Sequence, residues 1–330
     1  MRTSRPITFC LAILAGLAAG WLKADDKKSA SFTDAKKAGK EFRIQGEYLA
    51  EDGDNKVGIQ VIALGSNQFS FVAYPGGLPG DGWSRGMETI VGKGELKDGT
   101  CTFKPDDSQN EGQGVWSDDT ITVTDGNGNE IFAARKVTRK SPTLGAKPPQ
   151  NAVVLFDGST ADTFENGKLV EEKLLGPTSC TSKEKLGDHL LHVEFRTPFM
   201  PKARGQGRGN SGCYIQSRYE CQVLDSFGLD GKDNECGGIY QISKPVVNMC
   251  FPPLSWQTYD IEFTAARYEG GKKVRNARVT IKHNGVVIHD DLELPKETPG
   301  CKKEGPALLG VFFQNHGNPV AFRNIWVVKK

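Results

Sequence analysis

Residues 210–226 read NSGCYIQSRYECQVLDS, and the alternation of side chains along this stretch predicts how the second half of the chain folds. Successive side chains of a β-strand point to opposite faces of its sheet. Glu220 and Gln222 therefore share one face, which is expected to point away from the core. The opposite face of the same strand is apolar and is expected to be buried; it carries Tyr219, Cys221 and Val223.

Similar strand patterns recur at regular spacing through the second half of the chain, with no long helical pattern between them. The predicted strands are 153–156, 190–195, 212–217, 219–224, 258–264, 277–282, 286–290, 308–314 and 321–328. His283, Asn284 and Gly285 form a hairpin signal, because Asn-Gly accepts the positive φ angles of a type I′ turn. The pattern predicts an all-β sandwich or jelly roll over residues 151–330 rather than a parallel α/β sheet.

A second, smaller β domain is predicted over residues 41–137, since 330 residues are enough for two domains. Its strands are predicted at 42–48, 56–64, 68–74, 100–103, 120–124 and 131–136. Residues 74–83 form a Gly/Pro-rich loop with aromatic ends, which is either a binding loop or a hairpin loop whose aromatic side chains fill the core. Residues 138–150 are rich in proline and are predicted to be a linker.

The first 24 residues have the pattern of an export signal: basic Arg2 and Arg5, then an apolar run over 7–22. A polar leader, 25–40, follows, and no later segment resembles a membrane span. We therefore expect a periplasmic, cell-surface or secreted protein; an uncleaved membrane anchor is the alternative. Removing the signal takes away three basic residues and no acid, so the formal charge changes from +2 to 2 − 3 = −1. A near-neutral chain is not expected to bind nucleic acid.

Seven of the eight cysteines follow the export signal. An oxidising compartment permits disulfides, but the odd number leaves at least one thiol without an intramolecular partner. No pair of cysteines has the CxxC spacing, which argues against a structural zinc site.

Separated motifs between about 151 and 328 resemble the 3-keto-disaccharide hydrolase family. They are VLFDG at 154–158, LHVEFRT at 191–197, NSGCY at 210–214, RYECQVLDS at 218–226, CGGIY at 236–240, WQTYDI at 256–261, HNG at 283–285 and QNHGNPVAFRNIW at 314–326. One departure bears on activity: Asn315 stands where the family usually has Asp. If an acid is essential there, Asn315 is expected to impair activity.

The resemblance implies a concanavalin-like sandwich with a concave groove, and cleavage of glycosides whose sugar carries a ketone at carbon 3. That ketone acidifies the proton on C2, so a base can remove it; the enolate expels the glycosidic oxygen from C1, and water then adds. Such a site needs a base, a group that stabilises the enolate oxygen, and a proton donor for the leaving group.

Glu220 is the first catalytic candidate, as general base or metal ligand, and a structural ion pair with Arg218 or another arginine is the alternative. His316 is the second, because histidine titrates near neutral pH and can exchange protons with carbon or oxygen. His316 shares its strand parity with Gln314; its alternative role is to hold the following turn. A divalent cation bound by Glu220, His316 and Asp225 is a further hypothesis.

Seven residues are predicted to bind substrate: Asn210, Tyr214, Gln222, Tyr240, Trp256, Gln314 and Arg323. Turn formation is the alternative for Asn210, a salt bridge across the sandwich for Arg323, and burial in the core for Tyr240 and Trp256. Among the remaining histidines, His283 is predicted to be structural. The others are assigned to exposed strand positions: His189, His192 and His289.

The leading functional hypothesis is thus an exported carbohydrate-active enzyme that acts on 3-keto-glycosides. One alternative is a non-catalytic, lectin-like protein, since a sandwich of this kind supports both. Another is a surface interaction protein whose N-terminal domain is the active part.

Overall fold

The computed structural model describes residues 30–53, 55–107 and 111–330. The predicted export signal, 1–24, and the first residues of the predicted leader lie outside the described residues. The described part is all-β, as predicted, and its one α-helix is α1, Gly39–Ile44. Within these ranges no helix is long and apolar enough to cross a bilayer.

The first half forms a closed, eight-stranded antiparallel barrel in the order β1-β10-β9-β8-β7-β6-β3-β2. The strands of this half are β1 (Gly46–Asp52), β2 (Asn55–Gly65), β3 (Gln68–Pro75), β4 (Leu78–Pro79), β5 (Gly82–Trp83), β6 (Ile90–Lys97), β7 (Thr100–Pro105), β8 (Gln113–Ser117), β9 (Thr120–Thr124) and β10 (Glu130–Val137). Gly94 makes room for the core, because a Cβ there would lie 2.4 Å from the Phe103 ring. The barrel therefore closes around its own aromatic core.

The aromatic ends of the loop between β3 and β5 pack inward. Tyr74 is buried and meets Trp83 edge to face, with ring centroids 5.0 Å apart. Trp83 in turn packs against the hydrophobic core of the second half. These contacts match the core-filling role considered for this loop.

The second half contains an eight-stranded sheet, in the order β13-β14-β25-β16-β19-β22-β23 with β11 also paired to β25, and a five-stranded sheet, in the order β12-β15-β24-β17-β18. Its strands are β11 (Val153–Phe156), β12 (Phe164–Glu165), β13 (Leu169–Val170), β14 (Leu174–Leu175), β15 (Cys180–Ser182), β16 (His189–Arg196), β17 (Ser211–Ile215), β18 (Tyr219–Val223), β19 (Gln257–Thr264), β20 (Arg267–Glu269), β21 (Lys272–Arg275), β22 (Ala277–His283), β23 (Val286–Leu294), β24 (Phe312–Phe313) and β25 (Ala321–Lys329).

The two sheets of the second half pack through aromatic side chains. Tyr219 of β18 lies 5.7 Å from Phe263 of β19, and Phe313 of β24 lies 4.3 Å from Phe322 of β25, between ring centroids. The alternation predicted for β18 is confirmed, because its apolar side chains enter this shared core: Tyr219, Cys221 and Val223. Glu220 and Gln222 consequently face away from it.

The proline-rich segment 138–150 contains neither strand nor helix, but it is bonded to the outer face of the larger sheet. Thr143 Oγ1 donates to Asp260 at 2.6 Å, the Gly145 N–H donates to Glu194 at 2.6 Å, and Asn324 Nδ2 donates to the Ala146 carbonyl at 3.0 Å. The segment is thus a docked strap.

The barrel and the sheets share buried contacts besides the strap. Arg208 is only 5% exposed; its Nε donates to Asp225 at 2.7 Å and its Nη1 to the Ala63 carbonyl of β2 at 3.1 Å. Phe199, beyond β16, enters the core of the barrel. These contacts fix the segment 199–210, which leads into β17, against the barrel.

The structure bears on two predictions made from the sequence, one about the cysteines and one about three histidines. All seven described cysteines are free thiols, which confirms that at least one lacks a partner. The placement of three histidines at exposed positions is wrong: His189, His192 and His289 are all buried. His192 lies beneath the strap, where Nδ1 meets Asp260 at 2.6 Å and the ring stacks on Trp326. Alternation alone could not show that the strap would cover this face.

Candidate active site

A cavity of about 240 Å³ opens on the face of the five-stranded sheet that points away from the core. It is lined by Gln206, Asn210, Tyr214, Glu220, Gln222, Tyr240, Pro299, Gly300, Gln314 and His316. The structure therefore brings together seven of the nine predicted site residues, including Glu220 and His316.

The pairing of β17 with β18 builds the floor of this cavity. Tyr214 is the cross-strand partner of Glu220, and Gly212 is the partner of Gln222. A Cβ on Gly212 would lie 2.4 Å from Glu220 Oε1 and 2.4 Å from Tyr214 Cε2. The glycine of the NSG motif is thus required sterically, because it leaves the space that these two side chains occupy.

Glu220 is a buried carboxyl without a cationic partner. It is 3% exposed. Burial raises its pKa to about 7, and a hydrogen bond with Tyr214 only partly offsets that rise. Arg218, the alternative partner, instead donates to Gln216 Oε1 and to the carbonyls of Lys303 and Ala307. The carboxyl is therefore poised to exchange a proton near neutral pH.

Tyr214 connects Glu220 to Gln314. Gln314 Nε2 donates to the Tyr214 hydroxyl oxygen at 2.8 Å, which leaves the single hydroxyl proton for Glu220. Burial, together with the nearby carboxyl, raises the pKa of Tyr214, so that it stays a neutral donor. The hydrogen bonds thus run from Gln314 to Tyr214 and from Tyr214 to Glu220, and they orient the Glu220 carboxyl.

Gln206 is a site residue that the sequence analysis missed. Its Oε1 accepts from Asn210 Nδ2 at 3.0 Å and from Gln222 Nε2 at 3.1 Å, while its own Nε2 donates to the Asn234 carbonyl at 2.7 Å. It sits on a 3₁₀ turn, Gly205–Gly207, just before the NSG motif. The glycine-rich run 204–209 was the available signal for a constrained turn.

Pro299 and Gly300 were also missed, since they belong to an irregular connection between β23 and β24. The neighbouring Thr298 ties this connection to the site: its Oγ1 accepts from the Glu220 N–H at 3.0 Å. Side chain–backbone contacts of this kind have no periodic signature in a sequence.

His316 lies exposed at the rim of the cavity. The prediction that it shares a strand with Gln314 is wrong, because β24 ends at Phe313 and both residues lie in the turn that follows it. The turn is closed by Asn315, whose Oδ1 accepts from the Gly317 N–H at 2.9 Å. Gly317 has φ of +79°, a conformation that favours glycine. Asn315 is exposed and does not line the cavity.

Trp256 and Arg323 do not reach the cavity. The Arg323 guanidinium stacks on the Trp256 ring at 4.0 Å, and its Nε donates to Glu194 at 2.7 Å. These groups belong to the outer face of the larger sheet, beside the strap. Arg323 thus makes a salt bridge, but with a neighbouring strand of its own sheet and not across the sandwich, as its alternative role had it.

The hypothesis of a cation bound by Glu220, His316 and Asp225 does not fit the geometry. The Asp225 carboxylate is buried and accepts from Arg208 Nε at 2.7 Å, so it is neutralised within the protein. No group of three His, Cys, Asp or Glu side chains in the described ranges is arranged to hold a metal ion.

Two solved structures from one organism are similar to part of this chain. A crystal structure from Parabacteroides distasonis, provisionally named as a glycosyl hydrolase, is 28% identical, with a TM-score of 0.52 over 55% of this chain and 85% of that one. A second from the same organism, with the same provisional name, is 16% identical, with a TM-score of 0.41 over 55% and 94% of the two chains. A search of curated proteins finds no match.

The sequence profile of the 3-keto-alpha-glucoside-1,2-lyase-like domain matches residues 151–328. This range is more than half of the chain and contains the cavity with Glu220 and His316. The chain therefore belongs to the family of 3-keto-alpha-glucoside-1,2-lyase-like domains.

Proposed function

We propose that the chain is an exported enzyme that cleaves 3-keto-glycosides by elimination followed by hydration. The observation that carries the proposal is Glu220, a buried carboxyl whose pKa is raised to about 7 by burial, in a cavity that also contains His316. Family membership and the provisionally named glycosyl hydrolase of similar fold support a glycoside substrate.

In the first half of the proposed reaction, the Glu220 carboxylate removes the proton from C2. The electron pair of the C–H bond forms the enolate of the C3 ketone. The enolate then re-forms the ketone as a C1=C2 double bond develops and the C1–O bond breaks. His316 gives a proton to the departing oxygen, which leaves as an alcohol.

In the second half, water adds to the unsaturated ketone. His316 takes a proton from the water as its oxygen bonds to C1, and Glu220 returns its proton to C2. Both residues regain their starting protonation states, and the sum of the two halves is hydrolysis. The raised pKa of Glu220 suits both roles, because a group titrating near neutral pH can accept and then return a proton.

A lectin-like protein is the second candidate. The amide side chains of the cavity favour it, because Gln206, Asn210, Gln222 and Gln314 bind hydroxyl groups but transfer no protons.

We further propose that the two packed sheets form a concanavalin-like jelly roll, that 41–137 and 151–330 are separate domains, and that 1–24 directs export to the periplasm, cell surface or medium.

The test is to incubate the purified chain in D₂O with methyl 3-keto-α-glucoside and with its unoxidised parent, with and without chelator. NMR follows both exchange of the C2 proton and release of methanol. We expect exchange and release from the keto sugar alone. A Glu220→Gln variant should lose both while still binding the sugar.

Binding of both sugars without exchange or release would overturn the enzymatic proposal in favour of the lectin. Release from the unoxidised parent at an equal rate would point to ordinary glycoside hydrolysis and would also overturn it. Loss of release with chelator would show that Glu220 and His316 do not suffice.

A further inference from the structure

The hydrogen bonds of Asn210 leave one of its atoms without a partner. Asn210 Nδ2 donates one proton to the Gln206 carbonyl at 2.8 Å and the other to Gln206 Oε1 at 3.0 Å. Both amide protons are therefore used. Asn210 Oδ1 is buried and has no hydrogen-bond partner, although the residue lines the cavity and is only 1% exposed.

The amide cannot relieve this by turning over. A half-turn would place Oδ1 against two oxygen atoms of Gln206, and neither of those carries a proton. Gln206 is itself fixed, because its Nε2 donates to the Asn234 carbonyl and its Oε1 also accepts from Gln222. The orientation of Asn210 is thus determined by its neighbours, with the acceptor oxygen left over.

We infer that Asn210 is a specificity-determining residue that requires a hydroxyl group of the sugar, and that Gln206 is the positioning residue that holds its acceptor in place. This inference rests on the proposed carbohydrate ligand. A ketone oxygen only accepts hydrogen bonds, so it cannot satisfy Oδ1. The oxidised C3 must therefore lie away from Asn210, and a hydroxyl at another position of the ring must face it.

The energetic reason is that an unsatisfied buried acceptor is costly and a ligand that supplies a donor removes the cost. A site of this type rejects analogues that lack the hydroxyl far more strongly than an apolar pocket rejects a missing methylene. Oδ1 is covered in this structure, so contact requires a small shift of the cavity lining, as is common for side chains at binding sites.

The test measures binding without any chemistry. Methyl α-glucoside and its 2-deoxy, 4-deoxy and 6-deoxy forms are titrated into the full chain and followed by NMR. We expect one analogue to bind roughly 10- to 100-fold more weakly than the parent. In Asn210→Ala that same analogue and the parent should bind equally, within about twofold, because the acceptor is gone.

Two further variants test whether the discrimination depends on how Asn210 is held or only on how the cavity is packed. Gln222→Ala truncates a neighbouring amide that also lines the cavity; Gln206 then keeps its bond to the Asn234 carbonyl and its contact with Asn210, so the discrimination should be kept even if overall affinity falls. Gln206→Leu removes one of the two acceptors of Asn210 Nδ2 and keeps only the backbone carbonyl of residue 206, so the amide is held less firmly and discrimination should shrink. If Gln206→Leu keeps full discrimination, the positioning role of Gln206 is overturned.

Equal binding of the parent and every deoxy analogue to the wild-type chain would overturn the inference, as would no binding of the parent. These outcomes are independent of cleavage. A chain that discriminates among the analogues but never cleaves the keto sugar would keep this inference and lose the proposed reaction.

Discussion

Glu220 and Glu194 are two carboxyls of the same β domain, each nearly inaccessible to solvent, yet their surroundings differ in charge. Glu194 accepts from Arg323 at 2.7 Å, from Asn324 at 2.9 Å and from the Gly145 N–H at 2.6 Å, and it also lies beside His192. Glu220 has the neutral Tyr214 as its hydrogen-bonding side chain. Comparing the two residues therefore separates the effect of burial on the carboxyl pKa from the effect of neighbouring groups that stabilise the carboxylate charge.

The pKa values move in opposite directions. Burial alone would raise both, but at Glu194 the hydrogen bonds from His192, Asn324 and their neighbours outweigh burial and lower the pKa to about 2. At Glu220 burial prevails and the pKa rises to about 7. Glu194, whose charge is stabilised by its neighbours, holds the strap and the sheet together, whereas Glu220, whose charge is not, is ready to take up a proton.

Linkage gives the two residues opposite effects on stability. The contribution of Glu194 is present above its ordinary pKa and is lost as pH falls towards about 2. The contribution of Glu220 is fully present below its ordinary pKa, where the carboxyl is protonated, and is lost as pH rises through about 7. The protein is thus least stabilised by Glu220 at the pH where that residue can act as a base.

The largest expected effect is on activity in Glu220→Gln. Without a group that can take the C2 proton, kcat/KM for the keto sugar should fall by at least about 100-fold. The same change should raise the free energy of unfolding at pH 8 by on the order of 2 kcal/mol, because a buried charge is removed. Initial rates and urea denaturation measure the two. A variant that is both inactive and less stable at pH 8 would contradict the reading of Glu220 as an uncompensated charge.

The matched substitution Glu194→Gln should do the reverse. It leaves the Arg323 guanidinium without its anion and weakens the strap, so the free energy of unfolding should fall by about 3 kcal/mol. Activity per folded molecule should stay within about twofold, since Glu194 lies on the other sheet. Denaturation and active-site titration would check this. Equal loss of activity in both variants would erase the distinction between the two carboxyls.

Tyr214→Phe tests the one bond that moderates the pKa of Glu220. The hydrogen bond favours the charged carboxylate, so its loss should move the acidic limb of the kcat/KM profile from near pH 7 to higher pH. At pH 6 the loss should be about tenfold, and at pH 8.5 it should be small. A profile lowered equally at every pH would show that Tyr214 contacts substrate instead of tuning Glu220.

The parts of the site that lie on regular strands could be predicted from the sequence. Alternation correctly placed Glu220 and Gln222 opposite the core, because strand periodicity is a property of the chain itself. Contacts made by irregular segments could not be predicted in this way. Gln206 enters the cavity from a 3₁₀ turn, and Pro299 enters from a connection between strands, with no repeating pattern to reveal either.

The same limit explains the residues that were expected in the cavity and lie elsewhere. Trp256 and Arg323 belong to the motifs that resemble the family, but a motif does not state which sheet face a side chain occupies. His192 lies on a strand, yet the strap of 138–150 covers it, and that docking depends on tertiary contacts. The all-β class needed only composition and alternation, whereas the closure of the barrel depended on pairing β1 with β10 across most of the first half.

The smallest expected effect is that of Asn315→Asp, which restores the residue usual in the family. Asn315 is exposed, does not line the cavity, and uses its Oδ1 to accept from the Gly317 N–H at 2.9 Å. An aspartate oxygen can accept that same bond, and a charge added in water is strongly screened. We therefore expect kcat/KM to change by less than about twofold, measured on the keto sugar beside Glu220→Gln and the wild type. An increase of tenfold or more would show that an acid at this position takes part in the reaction, and the proton transfers assigned to His316 would then have to be shared with it.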